Sequence, residues 1–271
     1  MSPPEASRGC TNTTAKSNTE EDGEWHTVSS QDKKRVMRKN RRRRPGVAHP
    51  TAGSFVEIND SFRLQNVLQT CREVLKDTAL YQEIVRETFE QDVQFEEILC
   101  YGLGNFSRTH TTYFSPSLWQ LACLLQLRDD LPGDNANRVY FFDPKSSAFE
   151  TEFLKTQQVI VLEKDDEGKR KIPDATLLFM VHCPAFLFEN LFATNPMAFR
   201  PSSRTILIGN SIQLMVDALS RHPNGQGVSL EQLKARASLL DEKELTVDPK
   251  QPDEFEKAFN STYRIRGKQE A

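Results

Sequence analysis

The sequence predicts an α/β protein in which helices cover both faces of a mostly parallel sheet of about five to six strands. Short, continuous apolar runs alternate along the chain with segments of helical periodicity, and such runs are typical of parallel strands buried on both faces. One run, residues 98–101, ends in Gly102-Leu103-Gly104 and is followed by a helical pattern, as in the first half of a βαβ unit. Together these observations indicate a Rossmann-like three-layer fold.

The first 53 residues differ from the rest and predict a disordered arm, because they are polar and poor in aliphatic side chains. Nine of the twelve residues at 33–44 are Lys or Arg, so the remainder of a chain of net charge −3 carries −12. This run is either a solvated arm or a signal for an import receptor, with an RNA or acidic-protein contact as a further option. We do not expect the acidic folded domain, residues 54–271, to bind nucleic acid.

The helical and apolar segments can be assigned in order from residue 60. Asp60 or Ser61 can cap a long amphipathic pattern that reaches Phe89 and is either one helix or two broken near Asp77-Thr78. After the glycine turn, we predict helices at 116–127, 147–155, 185–194 and 212–219, and strands at 138–142, 159–162, 175–181 and 204–208. A helix at 230–240 and a last helix and strand within 255–265 complete the assignment.

The cysteine pattern and the hydropathy predict where the protein resides. Its five cysteines are odd in number and scattered, without a C-x-x-C pair, which argues against a disulfide framework or a zinc site and for a reducing compartment. No apolar stretch approaches the roughly 20 residues of a membrane helix. The N-terminus has no apolar signal region. We therefore expect a cytoplasmic or nuclear protein that makes no membrane contact.

Polar residues follow four of the predicted strands. Because the carboxyl ends of parallel strands meet at one edge, these residues should line a single ligand crevice. The alternative is that the glycines only form turns and the polar residues only cap helices. The glycine turn would also direct backbone N–H groups toward an anion. The candidate crevice residues are Gly102, Gly104, Asn105, Asp143, His182, Cys183, Asn210 and Ser211.

Five motifs, taken together, resemble one known family, the "sensitivity to red light reduced" or SRR-like proteins. The motifs are CYGLGNFS at 100–107, QLA at 120–122, YFFDP at 140–144, TLLFMVHCP at 176–184 and ILIGNS at 206–211. The resemblance implies a Rossmann-like domain at 54–271 with its core at 95–219. It also implies a regulatory role, since members are linked to circadian timing, to regulation of heme biosynthesis and, in fungi, to microtubule stability, none of which is an established catalytic reaction. Its protein partners are not identified by the sequence.

The sequence His182-Cys183-Pro184 resembles heme-responsive motifs, in which a cysteine thiolate before a proline is an axial ligand of the iron. This agrees with the heme link that the family implies, and makes Cys183 or His182 a possible heme ligand. The alternative is an ordinary buried cysteine. A Cys–His nucleophilic pair is less favoured, because neighbours on a strand point to opposite faces.

Two further function classes remain open. One is an enzyme that uses S-adenosylmethionine or another nucleotide-type cofactor in the crevice, with methyl transfer as the first choice. Against it, Cys100-Tyr101 stands where such enzymes carry an acid before the glycines, and Asp143 lies far along the chain for a ribose acceptor. The other is an adaptor protein whose arm and acidic body recruit partners. No catalytic or metal-ligating set is predicted.

Overall fold

The structure, a computed structural model, describes residues 55–89, 94–110, 114–131, 138–222, 228–248 and 250–269. The N-terminal arm and its basic run lie outside these residues. The strands of the described part are β1 (Phe55–Glu57), β2 (Glu97–Tyr101), β3 (Arg108–His110), β4 (Val139–Phe142), β5 (Val159–Val161), β6 (Thr176–Met180), β7 (Ile206–Asn210), β8 (Leu240–Glu244) and β9 (Thr262–Gly267). The predicted α/β architecture is confirmed.

The helices begin where the sequence offers caps. They are α1 (Ser61–Lys76), α2 (Ala79–Phe89), α3 (Pro116–Asp130), α4 (Ala148–Thr156), α5 (Ala185–Thr194), α6 (Ile212–Arg221), α7 (Leu230–Ala237) and α8 (Asp253–Phe259). Asp60 caps α1 by accepting the Arg63 N–H at 2.9 Å. Of the two alternatives left open by the sequence, the structure has two helices, with the break at Asp77-Thr78. Among the helices described, none is both long and apolar enough to cross a membrane.

Seven of the strands form one sheet in the order β5-β4-β2-β6-β7-β9-β8. β2 pairs in parallel with β4 and β6, β4 with β5, and β6 with β7, whereas β9 runs antiparallel to β7 and β8. The chain first builds outward from β2 through β4 to β5, and then crosses back to β6 on the other side of β2. The topological switch point, where open α/β sheets bind ligands, therefore lies between β2 and β6.

Alternation along the strands divides the core into two layers. In β2, Ile98 and Cys100 face the layer that contains residues of α1, α2, α3 and α8, whereas Leu99 and Tyr101 face the layer of α5, α6 and α7. Helix α3 is buried on all sides from Leu118 to Leu127, since it lies between the sheet and other helices. The predicted helices on both faces are thus confirmed.

The sheet is wider than the five to six strands predicted because its C-terminal edge strand was not recognised. β8 reads Leu-Asp-Glu-Lys-Glu, and only Leu240 of the five residues is buried. Edge strands are commonly charged, which hinders association with other chains, and such a sequence has no apolar run to detect. The predicted helix at 230–240 accordingly ends at Ala237.

A non-helical strap, residues 162–175, connects β5 to β6 across the α5 side of the sheet. It is held at both ends: Asp166 accepts the Tyr101 hydroxyl at 2.6 Å, and Asn195 of the α5 end accepts the Ile172 N–H at 3.1 Å. The Arg170 guanidinium lies 4.3 Å from the Tyr140 ring centre. The strap thereby covers strand surface that a crossover helix usually covers, and brings acidic residues to the switch point.

Candidate functional site: a crevice at the switch point

A crevice of about 740 Å³ opens at the carboxyl ends of β2, β4, β6 and β7. This is within the range of small-molecule sites, roughly 300–1,000 Å³. Seven of the eight predicted crevice residues line it: Gly102, Gly104, Asp143, His182, Cys183, Asn210 and Ser211. Their juxtaposition follows from the parallel strands; a ligand role for them stays a prediction.

Asn105 does not line the crevice, so the prediction for this residue is corrected. Its side-chain Oδ1 accepts the Arg108 N–H at 2.7 Å and the Ser107 hydroxyl at 3.2 Å. The side chain is therefore turned toward the start of β3, the strand that pairs antiparallel with β1 in a separate two-stranded sheet, and it stabilises the turn that leads into β3. An Asn after a glycine turn can either line a ligand site or stabilise the turn itself, and the sequence does not distinguish these two roles.

The glycine turn needs glycine at both of its positions. Gly102 and Gly104 have φ angles of +71° and +75°, a region that residues with a Cβ rarely adopt. A Cβ on Gly102 would lie 2.7 Å from Cys183 Sγ, and one on Gly104 would lie 2.9 Å from Ser117 Oγ. The turn thus brings the end of β2 close to the end of β6 and to helix α3.

Asp143 is the anion that the glycine turn holds. Its Oδ2 accepts the Gly104 N–H at 2.6 Å and its Oδ1 accepts the Lys145 N–H at 2.7 Å. The expectation that the turn leaves N–H groups for an external anion is therefore wrong for Gly104, and the Gly102 N–H donates to the Phe142 carbonyl at 3.2 Å. Although about forty residues separate Asp143 from the glycines, the parallel pairing of Tyr101 with Phe142 makes them neighbours.

His182 stands at the end of β6 in a left-handed conformation, with a φ of +59°. Its Nε2 donates to the Lys257 carbonyl oxygen at 3.0 Å, which ties the crevice to helix α8. Burial lowers the pKa of His182 below its ordinary value, and backbone hydrogen bonds offset only part of this effect. The ring is therefore neutral at pH 7. A non-glycine residue held in this conformation is often found at functional sites.

We expect acidification to destabilise the protein through His182. Because its folded pKa lies below the unfolded value of 6.5, the unfolded state takes up the proton more readily, and stability is lost as the pH falls through 6.5. In His182→Asn, which tolerates the left-handed conformation, the free energy of unfolding should fall less between about pH 7.5 and about pH 5.5. Urea denaturation at both pH values measures this; equal losses in the two proteins would contradict it.

Cys183 is a buried, neutral thiol, 7% exposed. Its Sγ donates to the Tyr101 carbonyl oxygen at 3.2 Å. Burial, followed by the charge of Asp143, raises the pKa of Cys183 well above its ordinary value. Since an iron or a substrate needs the thiolate, this arrangement does not favour a nucleophile or a metal ligand.

Cys183 does not fit axial ligation of a heme iron as it is arranged. Its thiol is protonated and hydrogen-bonded to the backbone, so ligation would require both a proton loss and a broken hydrogen bond. The bond from His182 Nε2 to the Lys257 carbonyl gives no such argument for the histidine, because a ligating histidine usually donates its other ring N–H to a carbonyl or carboxylate. Within the described ranges, no three His, Cys, Asp or Glu side chains come together in a way that could hold a metal ion.

A second internal anion, Glu242, lies beside the β7 side of the crevice, outside its lining. Ser211 caps α6 by accepting the Leu214 N–H at 3.0 Å, and Glu242 of β8 accepts the N–H groups of Ile212 at 2.9 Å and Gln213 at 3.2 Å. The Ser211 hydroxyl also donates to Glu242. The α6 N-terminus, where an anion would be favoured, is thus already neutralised by the protein's own carboxylate.

Asn210, by contrast, has a buried side-chain Oδ1 with no hydrogen-bond partner among the described residues. An unsatisfied buried polar atom costs about 1–3 kcal/mol. Asn210 is among the residues that line the crevice, but its Oδ1 is closed to solvent, so this oxygen is not the atom that Asn210 presents to the cavity.

The wall of the crevice was missed by the sequence analysis. Helix α6 presents Leu214, Met215, Ala218 and Leu219 to the cavity, and the strap contributes Asp165. The apolar spacing in α6 was visible, but it predicts only a face packed on the sheet. Only the fold shows that part of this face borders a cavity.

A family model, that of the SRR1 domain, matches residues 69–265 of the chain. The chain belongs to the SRR1 family. It is 28% identical over 223 residues to "Protein SENSITIVITY TO RED LIGHT REDUCED 1" of Arabidopsis thaliana, covering 75% of this chain and 77% of that protein. It is 30% identical over 135 residues to the mouse "SRR1-like protein", spanning 49% of this chain and 51% of the mouse protein. The predicted family is confirmed.

Among solved structures, the chain is similar to a putative O-methyltransferase from Klebsiella pneumoniae, with 17% identity, a TM-score of 0.38, and coverage of 76% of this chain and 90% of that one. It is also similar to a putative S-adenosyl-L-methionine-dependent methyltransferase from Methanococcus maripaludis, with 11% identity, a TM-score of 0.35, and coverage of 83% and 99%. At such scores we draw no functional argument from either likeness.

Proposed function

We propose that this SRR1-family chain is a regulatory protein, acting in the cytoplasm or the nucleus, that binds a small ligand in the switch-point crevice. Its role would be in circadian timing, in the control of heme biosynthesis, or in both. The observation that carries the proposal is the crevice itself, with its apolar wall on α6 and its convergent polar groups at four strand ends. The name of the Arabidopsis relative, which refers to reduced sensitivity to red light, supports a signalling role.

The contacts of the polar side chains favour binding over catalysis. Both Asp143 oxygens hold backbone N–H groups, His182 Nε2 donates to a carbonyl, and the Cys183 thiol does the same. A general base or nucleophile needs a free, suitably ionised group within reach of the substrate. These side chains instead fix the shape of the crevice, as a binding site requires.

Filling the crevice should abolish the regulatory role without unfolding the protein. Ala218 lines the cavity on α6, so the phenyl ring of Ala218→Phe would occupy ligand space. Ala235 on α7 is exposed and outside the crevice, which makes Ala235→Phe a matched control.

In cells lacking their own copy, the wild type and Ala235→Phe should restore the circadian period or the rate of heme synthesis, and Ala218→Phe should not. Thermal unfolding of the purified variants checks that both are folded. Full restoration by a folded Ala218→Phe would contradict the proposal.

The enzyme alternative, an S-adenosylmethionine- or nucleotide-dependent methyltransferase, is favoured by one observation. The sequence separation of Asp143 from the glycine turn argued against it, yet Asp143 bonds directly to Gly104. An acid beside the glycine turn is the arrangement that binds ribose hydroxyls in dinucleotide sites. Transfer of a labelled methyl group from S-adenosylmethionine to a component of a cell extract, lost in Ala218→Phe, would support this alternative over the regulatory one.

A further inference from the structure

Of the three places at or beside the crevice where a phosphate would ordinarily bind, two are occupied by carboxylates of the chain itself, namely the glycine turn and the start of α6. Asp143 accepts the N–H of the glycine turn, and Glu242 accepts two N–H groups at the start of α6. Glycine turns and helix N-termini are the usual phosphate sites of α/β folds. A phosphate would have to displace a carboxylate or lie beside one, and both arrangements are unfavourable because the charges are alike.

The charges along the rest of the crevice point the same way. The described residues that line it carry two carboxylates, Asp143 and Asp165, and one ammonium, Lys145 at the exposed rim. Helix α5 also begins at the crevice, at Pro184, and has no side-chain cap. It is the one described helix start at the crevice that is left without a carboxylate.

Asp143 nevertheless has capacity for further hydrogen bonds. Each of its oxygens accepts one N–H group. An ionised carboxylate has about four acceptor positions, so about two remain, one on each oxygen. Two adjacent hydroxyl groups are donors that match such a pair, and a ribose carries them in its 2′ and 3′ positions.

The opposite side of the crevice suits a flat apolar surface. Leu214, Met215 and Leu219 form an apolar wall there. A nucleobase has apolar faces, so it would cover the wall with one of them. The crevice thus offers apolar contact for the base at one end and Asp143 as a polar anchor for the ribose at the other.

We infer that the crevice takes a ribonucleoside that carries no phosphate group, with its ribose hydroxyls on Asp143 and its base against α6. The inference rests on the proposed function, that the crevice binds a small ligand, and names the class of that ligand. The exclusion of phosphate comes from the chain's own carboxylates, Asp143 and Glu242.

Isothermal titration of the full chain with adenosine, guanosine, cytidine and uridine tests the inference. We expect saturable binding of at least one of them, with its 5′-monophosphate and its 2′,3′-dideoxy analogue each about tenfold or more weaker. Ala218→Phe should abolish the heat of binding, and Ala235→Phe should preserve it. The dideoxy analogue removes the diol without altering the protein, so a folding defect cannot produce this result.

A substitution at Glu242 gives an independent readout. Glu242→Gln keeps the side-chain shape but removes the charge at the start of α6. We expect the preference for the nucleoside over its monophosphate to fall several-fold in this variant, because like-charge repulsion is reduced. A purely structural role for Glu242 would leave that ratio unchanged and would count against the inference.

A monophosphate that binds as tightly as its nucleoside would overturn the inference, and would point to the uncapped start of α5 as a phosphate site. Absence of binding for all four nucleosides would overturn it as well. The proposed function fails on a different result, namely that the purified wild type and Ala218→Phe carry the same small molecules. The two failures are thus distinguishable.

Discussion

The substitution Gly102→Ala is expected to lower the free energy of unfolding by about 3 kcal/mol. The positive φ of +71° disfavours any residue with a Cβ, at a cost of roughly 1–2 kcal/mol. The new methyl group would also lie 2.7 Å from Cys183 Sγ in a buried contact, and overpacking of this kind costs about 1–3 kcal/mol. Urea denaturation of the wild type and the variant measures the loss.

A double-mutant cycle separates the two causes. Cys183→Ala removes the sulfur that the Gly102→Ala methyl group would meet, while the backbone strain remains. The double variant should therefore be about 1–2 kcal/mol more stable than the sum of the single effects predicts. Strict additivity would show that the ends of β2 and β6 do not make this contact, and would weaken the account of the crevice geometry.

The substitution Glu87→Gln is expected to cost about 2 kcal/mol, since it removes the carboxylate charge that accepts hydrogen bonds from the buried Arg264 and from the partly exposed Lys243. Glu87 on α2 accepts from Arg264 Nε at 3.1 Å and is also bonded to Lys243, and Arg264 is only 4% exposed. Removing the carboxylate charge leaves Arg264 paired with Asp241, at 2.7 Å. Helix α2 would lose one polar link to the C-terminal strands β8 and β9, while the Glu83–Lys243 pair at 3.2 Å would remain.

The matched control for this change is Glu152→Gln. Glu152 is 71% exposed and pairs with Lys155 on one turn of α4. Exposed pairs of this kind contribute about 0–1 kcal/mol, so the control should be nearly neutral. Unfolding by urea compares the two variants; a loss for Glu87→Gln as small as that of the control would show that the network does not stabilise the C-terminal strands.

The same network predicts an acid response. Burial alone would raise the pKa of Glu87, but the bond from Lys243 and the charge of Arg264 lower it overall, below its ordinary value of 4.5. Its contribution is therefore present above pH 4.5 and is lost as the pH falls below that value. This part of the acid response should be absent from Glu87→Gln.

The central strands were predictable because burial on both faces leaves a clear pattern. β2, β6 and β7 are buried almost throughout, so their sequences are nearly unbroken apolar runs. The strap at 162–175 and β8 were not recognisable. The strap has no periodicity, and the edge strand β8 is charged on both faces.

For the site, the sequence located the polar residues at the strand ends but did not reveal the hydrogen bonds that they make. Which residues meet follows from parallel pairing, and this brought seven of the eight candidates together. Sequence separation was misleading for Asp143, because it does not report the distance between adjacent strand ends. Glu242 accepts N–H groups at the start of α6, but it lies on β8, a strand that the sequence analysis missed. No local sequence signal could therefore have shown this contact.

The claim at the centre of this account is that the crevice holds a small ligand, and the most direct test is the small-molecule content of the protein. Wild type, Ala218→Phe and Ala235→Phe would be purified in parallel from a eukaryotic host, extracted with organic solvent and compared by mass spectrometry. The account predicts a molecule that the wild type and Ala235→Phe retain in stoichiometric amount and Ala218→Phe lacks. Identical extracts from all three proteins would contradict it.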